Sequence, residues 1–386
     1  MIIAEVKLRK AKINIIQILG DPAGGIRKHV HEIVASGYQY GFCISYVHGS
    51  TLDLLGKADI NKFDSCGINR IQMNISKKPH LSDIVNIYRL FFYFRLKKIN
   101  VVHGHGAKGG IYARVLGFML KIPSVYTPHG GSLHSNFGLV ERILYSSAES
   151  FLKSITSLYL FESHYALKRF VESCGFLPNK KYSVNHNGVD EKLFSSKRLW
   201  NAGLNQGVNI LVVGVLREMK GQAVAINALA KLKKHFNIPI HLDLCGAGPD
   251  HNNLKILCAE LSLTDSVTFH GDVEDVALYY EKSNIVVIPS LFESFGYVAV
   301  EAALMSRPVV ASNCGGLREV IEDNKTGFLY SVGSPCALAE KIASIIQDID
   351  ITTKVVNNAR VNAVINFTTK SMLGNIYSAY HQLIVK

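Results

Sequence analysis

The feature that most constrains the fold is a repeated alternation between short β-branched runs and longer amphipathic stretches. Residues 12–19 and 284–288 are two such runs, and each is followed by residues that favour a turn. Apolar runs of this length are typical of parallel strands buried on both faces. Parallel strands need long crossover connections, and the intervening segments have the length of helices. The sequence therefore predicts an α/β fold with doubly wound parallel sheets.

The pattern predicts strands in both halves of the chain. A chain of 386 residues is too long for one typical core, so two domains are expected. The polar stretch between residues 190 and 209 is the natural boundary, so the first domain is expected to span 1–195 and the second to begin at residue 196. The predicted strands are 12–19, 41–47, 69–73, 100–103, 123–127, 157–161 and 182–186, then 208–213, 240–245, 266–269, 285–288, 308–311 and 327–330.

The positive charge lies in the first half of the chain. Residues 1–195 hold 25 Lys and Arg against 13 Asp and Glu, whereas residues 196–386 hold 17 of each. A one-sided basic domain suggests an acidic partner. Nucleic acid is disfavoured because no recognised nucleic-acid module appears. The segment 83–98 is a basic, aromatic helix of the kind that lies on an anionic membrane surface; the alternative is an ordinary helix preceding the strand at 100–103.

The cysteines and the apolar segments bear on compartment. The seven cysteines are scattered, and no two form a Cys-x-x-Cys pair, so neither a disulfide framework nor a cysteine zinc site is expected. A reducing cytoplasm is the expected location. The first residues show no secretory pattern, and no uncharged run approaches the roughly 20 residues needed to span a bilayer. Peripheral attachment to the inner face of the cell membrane is compatible with these observations.

Two carboxylates, Glu293 and Glu301, frame a small apolar run that follows the strand at 285–288. Gly296 is expected to open a helix, so that Glu293 precedes the helix and Glu301 lies about two turns beyond Glu293. Ligands bind beyond the carboxyl ends of parallel strands, and both carboxylates could accept hydrogen bonds from ligand hydroxyls. The alternative is a capping Glu293 and a solvated Glu301. The residues around the two carboxylates favour a sugar-nucleotide site over this alternative.

Five segments in order resemble the family 4 retaining glycosyltransferases, over nearly the whole chain. The segment from Glu293 to Glu301 matches the Glu-x7-Glu motif of that family without a gap. The resemblance implies the GT-B fold, with two Rossmann-like domains facing a cleft and a last helix, about 368–386, that returns to the first domain. The other matching segments are Gly24-Gly25-Ile-Arg-Lys-His29, Pro128-His129-Gly130, Asn187-Gly188-Val189-Asp190 and Arg217-Glu-Met-Lys220-Gly221.

The resemblance also implies roles for individual residues. Glu293 and His129 would orient the transferred sugar, while Arg217 and Lys220 would neutralise the diphosphate as the glycosidic bond breaks. Glu301 would bind the ribose. The residues expected to contact the nucleotide sugar are Gly24, Gly25, Gly246, Val273, Ser294, Phe295, Gly296, Tyr297 and Glu301.

Neither a metal ion nor a cofactor is expected. His103, His105 and His129 could suggest a metal site, but no Asp or Glu lies close to them in sequence and no His-x-x-x-His motif is present. His103 and His105 are expected to shape the acceptor side. Asp348-Ile-Asp350 matches the Asp-x-Asp of metal-dependent GT-A enzymes, but it is interpreted as a chance match. The donor is a nucleotide-diphosphate sugar, with uridine taken as the base.

The function implied by the resemblance is retaining transfer of a hexose or N-acetylhexosamine. The expected acceptor is a hydroxyl of a lipid-linked glycan, as in O-antigen or other lipopolysaccharide and surface polysaccharide synthesis. The basic, aromatic first domain favours such an acceptor over a soluble sugar. Two alternatives stay open at this point: a nucleotide-sugar epimerase of GT-B fold, and a non-catalytic protein that binds sugar nucleotides. The sugar, the linkage and the oligomeric state are not encoded in any motif found.

Overall fold

The computed structural model describes residues 13–22, 24–50, 54–76, 79–129, 149–178, 181–201 and 203–385. These form two compact units. Unit 1 consists of the described residues up to Asn185 together with those from Met372 onward, and unit 2 is His186–Ser371. Gly130, the last residue of one predicted motif, lies outside the described residues, as do residues 1–12.

Unit 1 is built on a seven-stranded sheet in which all neighbouring pairs are parallel, in the order β3-β2-β1-β4-β5-β6-β7. Strand order reverses beside β1, so the crevice for a ligand is expected beyond the carboxyl ends of β1 and β4. The strands are β1 (Ile13–Leu19), β2 (Phe42–Gly49), β3 (Asn69–Met73), β4 (Val101–His105), β5 (Ser124–Thr127), β6 (Leu158–Phe161) and β7 (Tyr182–Val184). The helices are α1 (Gly24–Ser36), α2 (Leu54–Ser65), α3 (Ser82–Phe94), α4 (Gly106–Leu120) and α5 (His164–Cys174).

Unit 2 is built on a six-stranded parallel sheet in the order β10-β9-β8-β11-β12-β13. Its strands are β8 (Val208–Val213), β9 (Ile240–Cys245), β10 (Val267–Gly271), β11 (Ile285–Ile288), β12 (Val309–Ser312) and β13 (Phe328–Tyr330). The helices that follow in the chain are α6 (Gln222–His235), α7 (His251–Glu260), α8 (Ala277–Lys282), α9 (Tyr297–Leu304), α10 (Leu317–Val320), α11 (Pro335–Gln347), α12 (Ile349–Asn366) and α13 (Thr369–Ile384).

Each sheet is covered by helices on both faces. In unit 1, one apolar cluster gathers residues of α1, β1 and α13, and a second gathers residues of β1, α3 and α4. In unit 2, the corresponding clusters lie under α6, α7 and α11 on one face and under α9 and α12 on the other. Burial on both faces explains why the strands read as β-branched runs without polar alternation. The predicted α/β class is confirmed.

All thirteen predicted strands occur in the described residues, with ends displaced by at most two residues. Helix α3 ends at Phe94 although the basic run continues to Lys98. The units divide after Asn185 and again after Ser371, whereas the sequence places the divisions at 195 and 367. Among the described residues, no helix has the combined length and hydrophobicity that a membrane span requires.

The chain enters unit 2 at His186 and leaves it at Ser371, and hydrogen bonds join the residues of unit 2 that lie near these two positions. The motif 187–190 pairs with the chain before α13, where Val189 N donates to Phe367 O at 2.9 Å and Thr369 N donates to Val189 O at 3.0 Å. A Cβ on Gly188 would lie 2.4 Å from the Thr368 carbonyl oxygen, so this close approach requires glycine. The Asn-Gly-Val-Asp motif therefore has a structural function here.

Helix α13 is held in unit 1 by two buried tyrosines. Tyr377 donates to the Ile33 carbonyl at 2.6 Å. The Tyr380 hydroxyl accepts from Gln17 Nε2 at 2.8 Å and lies 2.6 Å from His103 Nδ1. Gln17, His103 and Tyr380 are all fully buried. Helix α13 thus supplies polar partners to β1 and β4 as well as apolar area.

We expect Tyr380→Phe to lower the melting temperature of unit 1. It deprives two buried polar groups of a partner, which costs roughly 1–3 kcal/mol and corresponds to a decrease of roughly 2–12 °C. Differential scanning calorimetry measures the shift. Tyr38→Phe is the matched control because Tyr38 is 49% exposed, and it should leave the transition unchanged. An equal effect of both substitutions would contradict the structural function of the Tyr380 hydroxyl.

Candidate functional site

The carboxyl end of β11 leads into a tight loop that carries Glu293. The Ser290 hydroxyl lies 3.4 Å from Glu293 Oε2, and Gly316 N donates to the Glu293 carbonyl at 2.9 Å. A Cβ on Gly315 would lie 1.9 Å from that same carbonyl oxygen, and Gly315 has a φ of 51°. The backbone of Glu293 is therefore clamped by the glycine turn after β12. Its side chain is 18% exposed and reaches the surface of unit 2.

Lys220 is brought to Glu293 by the loop that follows β8. Lys220 Nζ lies 2.6 Å from Glu293 Oε2. The two loops are also joined through backbone, since Leu291 N donates to Met219 O at 2.9 Å. A Cβ on Gly221 would lie 2.0 Å from the Pro289 carbonyl oxygen, so the Lys-Gly pair is needed for this contact. Two of the predicted catalytic residues thus form one ion pair.

Arg217 lies just before Lys220, at the start of the short 3-10 helix Glu218–Lys220. Its side chain is exposed. Within the described part of the chain, the Arg217 side chain makes no hydrogen bond or ion pair. An exposed guanidinium next to an ion-paired lysine is available to an anionic ligand and can bind phosphate oxygens in a bidentate way.

The residues between the two glutamates form the start of α9. Gly296 has a φ of 108°, and a Cβ there would lie 2.6 Å from Leu317 Cδ2. Tyr297 is the first residue of α9, and Ser294 is partly exposed before it. Phe295 is only 2% exposed and belongs to the apolar core. Because core packing buries the ring, a contact of Phe295 with the nucleotide would have to use its backbone, and that contact stays a prediction.

Glu301 is buried in α9. It is 7% exposed, and its Oε2 accepts a hydrogen bond from the Tyr280 hydroxyl at 2.8 Å. The alternative of a solvated helix residue is wrong. Burial and the neighbouring Glu301 carboxylate hold the pKa of Tyr280 well above its usual value, so the phenol stays a donor. This hydrogen bond fixes the orientation of the Glu301 carboxylate.

Two further loops lie at the same edge of the unit 2 sheet. Gly246 has a φ of 139°, and a Cβ there would lie 2.1 Å from the Gly214 carbonyl oxygen. Gly246 N donates to Gly271 O at 2.8 Å, which places the loop carrying Val273 beside it. The loops after β8, β9 and β10 are thus joined through glycine backbone. Asp348 instead caps α12, accepting from Ile351 N at 3.0 Å, which agrees with a chance Asp-x-Asp.

In unit 1, Gly24 and Gly25 begin helix α1 instead of forming a separate loop. Gly24 has a φ of 58°, which favours glycine, and both residues are exposed. The first backbone N–H groups of a helix have no partner inside the helix, so this end suits an anion. The predicted contact of this glycine pair with the nucleotide sugar stays a prediction.

His129 follows β5 in a left-handed conformation, with a φ of 50°. Its Nδ1 lies 3.1 Å from Glu162 Oε2, and its Nε2 lies 3.2 Å from His105 Nδ1. The His29 ring centroid lies 4.9 Å from that of His129 and 5.5 Å from that of His105. We call His29, His105 and His129 the histidine cluster. All three are at most 7% exposed.

The remaining histidine of β4 has a different environment. His103 is fully buried, with Nδ1 at 2.6 Å from the Tyr380 hydroxyl and Nε2 at 2.9 Å from Thr127 Oγ1. Burial and the neighbouring His29 and His129 hold the pKa of His103 well below its usual value, so the ring is neutral. Because the His103 side chain is fully buried, it offers no surface to an acceptor, and the expectation that His103 shapes the acceptor side is wrong.

Sequence reasoning missed His29 and Glu162. His29 stands in the quoted glycine segment, one turn into α1, and it received no role because helix periodicity alone does not show which strand end it faces. Glu162 immediately follows β6, the position that identified other polar residues here. A metal site was not expected because no acidic residue lies close to His103, His105 or His129 in sequence. Glu162 is 33 residues from His129 in sequence, but its Oε2 lies within hydrogen-bond distance of His129 Nδ1 in the structure.

Two family models match the chain in succession. The model described as Glycosyltransferase Family 4 matches residues 23–193, and the model described as Glycosyl transferases group 1 matches residues 201–362. The first match covers most of unit 1 and the second covers most of unit 2.

Individual relatives agree with the family matches. An uncharacterised glycosyltransferase of Methanocaldococcus jannaschii is 29% identical over 280 residues, which is 68% of this chain and 70% of the relative. A capsular polysaccharide biosynthesis glycosyltransferase of Staphylococcus aureus is 24% identical over 321 residues, 78% of this chain and 82% of the relative. For several other curated relatives, the chain spans only about half of their length, between 42% and 55%.

A crystal structure of the Anabaena protein HepE in complex with UDP and glucose has a TM-score of 0.80 to this chain. The comparison covers 96% of this chain and 100% of HepE, at 21% identity, and it shows that the fold is shared. The predicted GT-B fold class is thereby confirmed. Since the two family models follow each other through both sheets and take in nearly the whole sequence, the chain belongs to family 4 of the glycosyltransferases.

Proposed function

We propose that this glycosyltransferase moves a hexose or N-acetylhexosamine from UDP to a hydroxyl of a lipid-linked glycan, with retention of configuration. The observation that carries the proposal is the Lys220–Glu293 ion pair, 2.6 Å long, at the carboxyl edge of the unit 2 sheet. It joins a cation suited to a diphosphate and a carboxylate suited to sugar hydroxyls. Unit 2 is proposed as the nucleotide-sugar domain and unit 1 as the acceptor-side domain.

In the proposed mechanism the leaving diphosphate is stabilised by fixed positive charge. The Arg217 guanidinium and the Lys220 ammonium bind the diphosphate oxygens, where negative charge grows as the bond to the anomeric carbon breaks. Donor binding draws Lys220 toward the phosphate and leaves Glu293 to accept from sugar hydroxyls. Backbone N–H groups at the start of α9, beyond Gly296, add to the anion site. No metal ion is required for this neutralisation.

Transfer with retention needs the acceptor hydroxyl on the face from which the diphosphate leaves. The acceptor oxygen bonds to the anomeric carbon, the bond from that carbon to the diphosphate oxygen breaks, and the hydroxyl proton passes to a leaving phosphate oxygen. We propose that His129 and Glu293 position the sugar for this step. Most of the rate enhancement then comes from positioning and electrostatics.

The nucleoside end is proposed to lie between Glu301 and the loops after β9 and β10. The Tyr280 hydroxyl holds the Glu301 carboxylate in one orientation, which suits an acceptor for the ribose hydroxyls. Gly246 and Val273 lie on the two neighbouring loops and leave backbone close to the surface. The HepE complex with UDP and glucose supports uridine as the base, because its fold is shared.

A lipid-linked acceptor is supported by the outer face of α3. Ile87, Leu90 and Phe94 face the core, while Phe92 is 57% exposed and Leu96, just beyond the helix, is 88% exposed. Basic side chains lie between these exposed apolar side chains and pack over two of the aromatic rings. The exposed set also includes Leu81, Ile84, Val85, Tyr88 and Tyr93; Arg95 lies over Phe92 and Lys97 over Tyr93.

A groove of about 510 Å³ adjoins this face, between the start of α3 and the start of α4. Its lining is mostly apolar, and the Lys108–Asp83 ion pair lies at one side. An apolar groove beside a basic aromatic helix suits part of a lipid chain whose headgroup is anionic. The capsular polysaccharide relative in Staphylococcus aureus supports a function in surface polysaccharide synthesis.

Two other functions remain distinguishable by experiment. A nucleotide-sugar epimerase of the same fold would interconvert a UDP-sugar with no acceptor present. A non-catalytic binding protein would retain UDP but release none from a UDP-sugar. A non-catalytic protein that binds sugar nucleotides is disfavoured because both glutamates and the two cations, Arg217 and Lys220, are present together.

We expect UDP to raise the melting temperature more than GDP, ADP or CMP does. At about a hundred times the dissociation constant, a ligand adds roughly 2.7 kcal/mol of stability, or roughly 5–11 °C. Arg217→Ala should abolish the shift, whereas Lys231→Ala, on an exposed position of α6, should preserve it. A response to none of the four nucleotides would contradict the proposed donor site.

Glu293→Ala and Arg217→Ala should each lower transfer by at least about a hundredfold, because each removes an interaction that strengthens in the transition state. Incorporation of labelled sugar from a UDP-sugar into lipid-extractable glycan measures transfer. Glu260→Ala, at an exposed end of α7, is the control for a lost carboxylate in unit 2. Near-normal transfer in a folded Glu293→Ala protein would remove Glu293 from the mechanism.

The membrane proposal predicts salt-sensitive binding to anionic vesicles. At low salt the protein should float with vesicles that contain phosphatidylglycerol and not with pure phosphatidylcholine. The double variant Phe92→Ser with Leu96→Ser should lose this binding. Val361→Ser with Ile365→Ser is the matched control, since these α12 side chains are also exposed and four residues apart. Retention of binding in the α3 variant would contradict a membrane-facing α3.

A further inference from the structure

The groove between the start of α3 and the start of α4 combines apolar walls with one ion pair. Its apolar lining includes Leu81, Ile84 and Ile111, and its charged lining includes Asp83 and Lys108. Leu81 and Ile84 also belong to the exposed apolar set around α3, at 79% and 55% exposed. Because these two side chains belong to both surfaces, the groove is continuous with the face of α3 that is proposed to contact a membrane.

The other end of the groove lies at the carboxyl edge of the unit 1 sheet. Helix α4 begins directly after β4, and Lys108 is its third residue. In the sheet, His105 at the end of β4 pairs with Leu19 at the end of β1. A Cβ on Gly20, the residue after β1, would lie 3.0 Å from Lys108 Cβ. Lys108 therefore lies where the strand order reverses, which is the place where a sheet of this kind binds its ligand.

The Asp83 carboxylate is held by three donors. It accepts from Lys108 Nζ, from the backbone N–H of His80 at 2.9 Å and from the Tyr112 hydroxyl at 2.7 Å. Burial raises the pKa of Asp83, but the hydrogen bonds from Lys108, His80 and Tyr112 outweigh this effect and hold the pKa below its usual value. The carboxylate therefore stays charged and keeps the lysine pointing at one place in the groove.

Lys108 has hydrogen-bonding capacity that Asp83 does not use. An ammonium group has three N–H donors. In the described part of the chain, the acceptor that Lys108 Nζ contacts is Asp83. The side chain is 15% exposed, so part of the ammonium can be reached from the groove. Among the described residues that line the groove, Lys108 is the one lysine or arginine, which leaves it as the group that can bind an anion there.

An apolar groove with an ammonium at its inner end suits a ligand that has an apolar chain and an anionic head. We propose that Lys108 binds the phosphate group that joins the acceptor lipid to its glycan, with the start of the lipid chain lying along Leu81 and Ile84. A phosphate accepts charge-assisted hydrogen bonds from the two remaining N–H groups of the lysine. This inference rests on the proposed function, and it narrows the acceptor to lipids that carry a phosphate.

Two amphiphiles of equal chain length test the site. Isothermal titration calorimetry of the unaltered protein compares decyl phosphate with decyl glucoside, both below the concentrations at which they form micelles. We expect decyl phosphate to bind at least about tenfold more tightly, because only its head can pair with Lys108. Inorganic phosphate at the same concentration should not displace decyl phosphate, because it has no chain to bury in the groove.

Substitutions assign the phosphate preference to one lysine. Lys108→Met keeps the length of the side chain without its charge, and it should reduce the preference to about twofold or less. Lys108→Arg keeps a cation and should retain most of the preference. Lys98→Met is the matched control, because Lys98 is an exposed lysine just beyond α3 and outside the groove lining. It should leave the preference unchanged.

Equal affinity of the unaltered protein for the two amphiphiles would overturn the proposal without any variant. Displacement by inorganic phosphate would assign the site to free phosphate, and a preference lost in Lys98→Met but kept in Lys108→Met would assign the head to the outer face of α3. Transfer of sugar to lipid-extractable glycan with no phosphate preference would contradict only the function of Lys108. A phosphate preference in a protein that transfers no sugar would keep the Lys108 site and contradict the transferase function.

Discussion

Parallel pairing is the constraint on which the rest of this structure depends. Every strand in each sheet points the same way, so the residues that follow the strands gather at one edge of that sheet. In unit 2 this brings Lys220, seven residues after β8, to Glu293, five residues after β11, although 73 residues separate them. In unit 1 it brings together the ends of β4, β5 and β6. The common direction of the strands therefore brings the residues of both polar clusters together, whatever their side-chain types.

Glycine makes these edges compact enough to hold charge in place. At Gly221, Gly246 and Gly315 a Cβ would lie within about 2.1 Å of a carbonyl oxygen of a neighbouring loop. Each loop is therefore supported by the backbone of another, and side chains such as Glu293 start from fixed positions. Preorganised charge of this kind stabilises a transition state without reorganisation during the reaction. The glycine contacts thus hold in place the loops that carry the Lys220–Glu293 ion pair.

The sequence predicted the elements of this fold well, because each strand is buried on both faces and carries a local signal. It also predicted Glu293, Lys220 and Arg217, which belong to motifs read within a few residues. It did not predict the Glu162–His129 contact, the place of His29 or the burial of Phe295 and His103. Those depend on which strand ends are neighbours and on how α13 packs on β1 and β4. Strand order and packing arise from the whole chain and leave no mark within one segment.

The two polar clusters also differ in how their charge is balanced. Lys220 and Glu293 are 32% and 18% exposed, so water or a ligand can replace either partner at small cost. Glu162 and His129 are 7% and 2% exposed at the side chain, and a buried carboxylate retains its charge only beside a compensating cation.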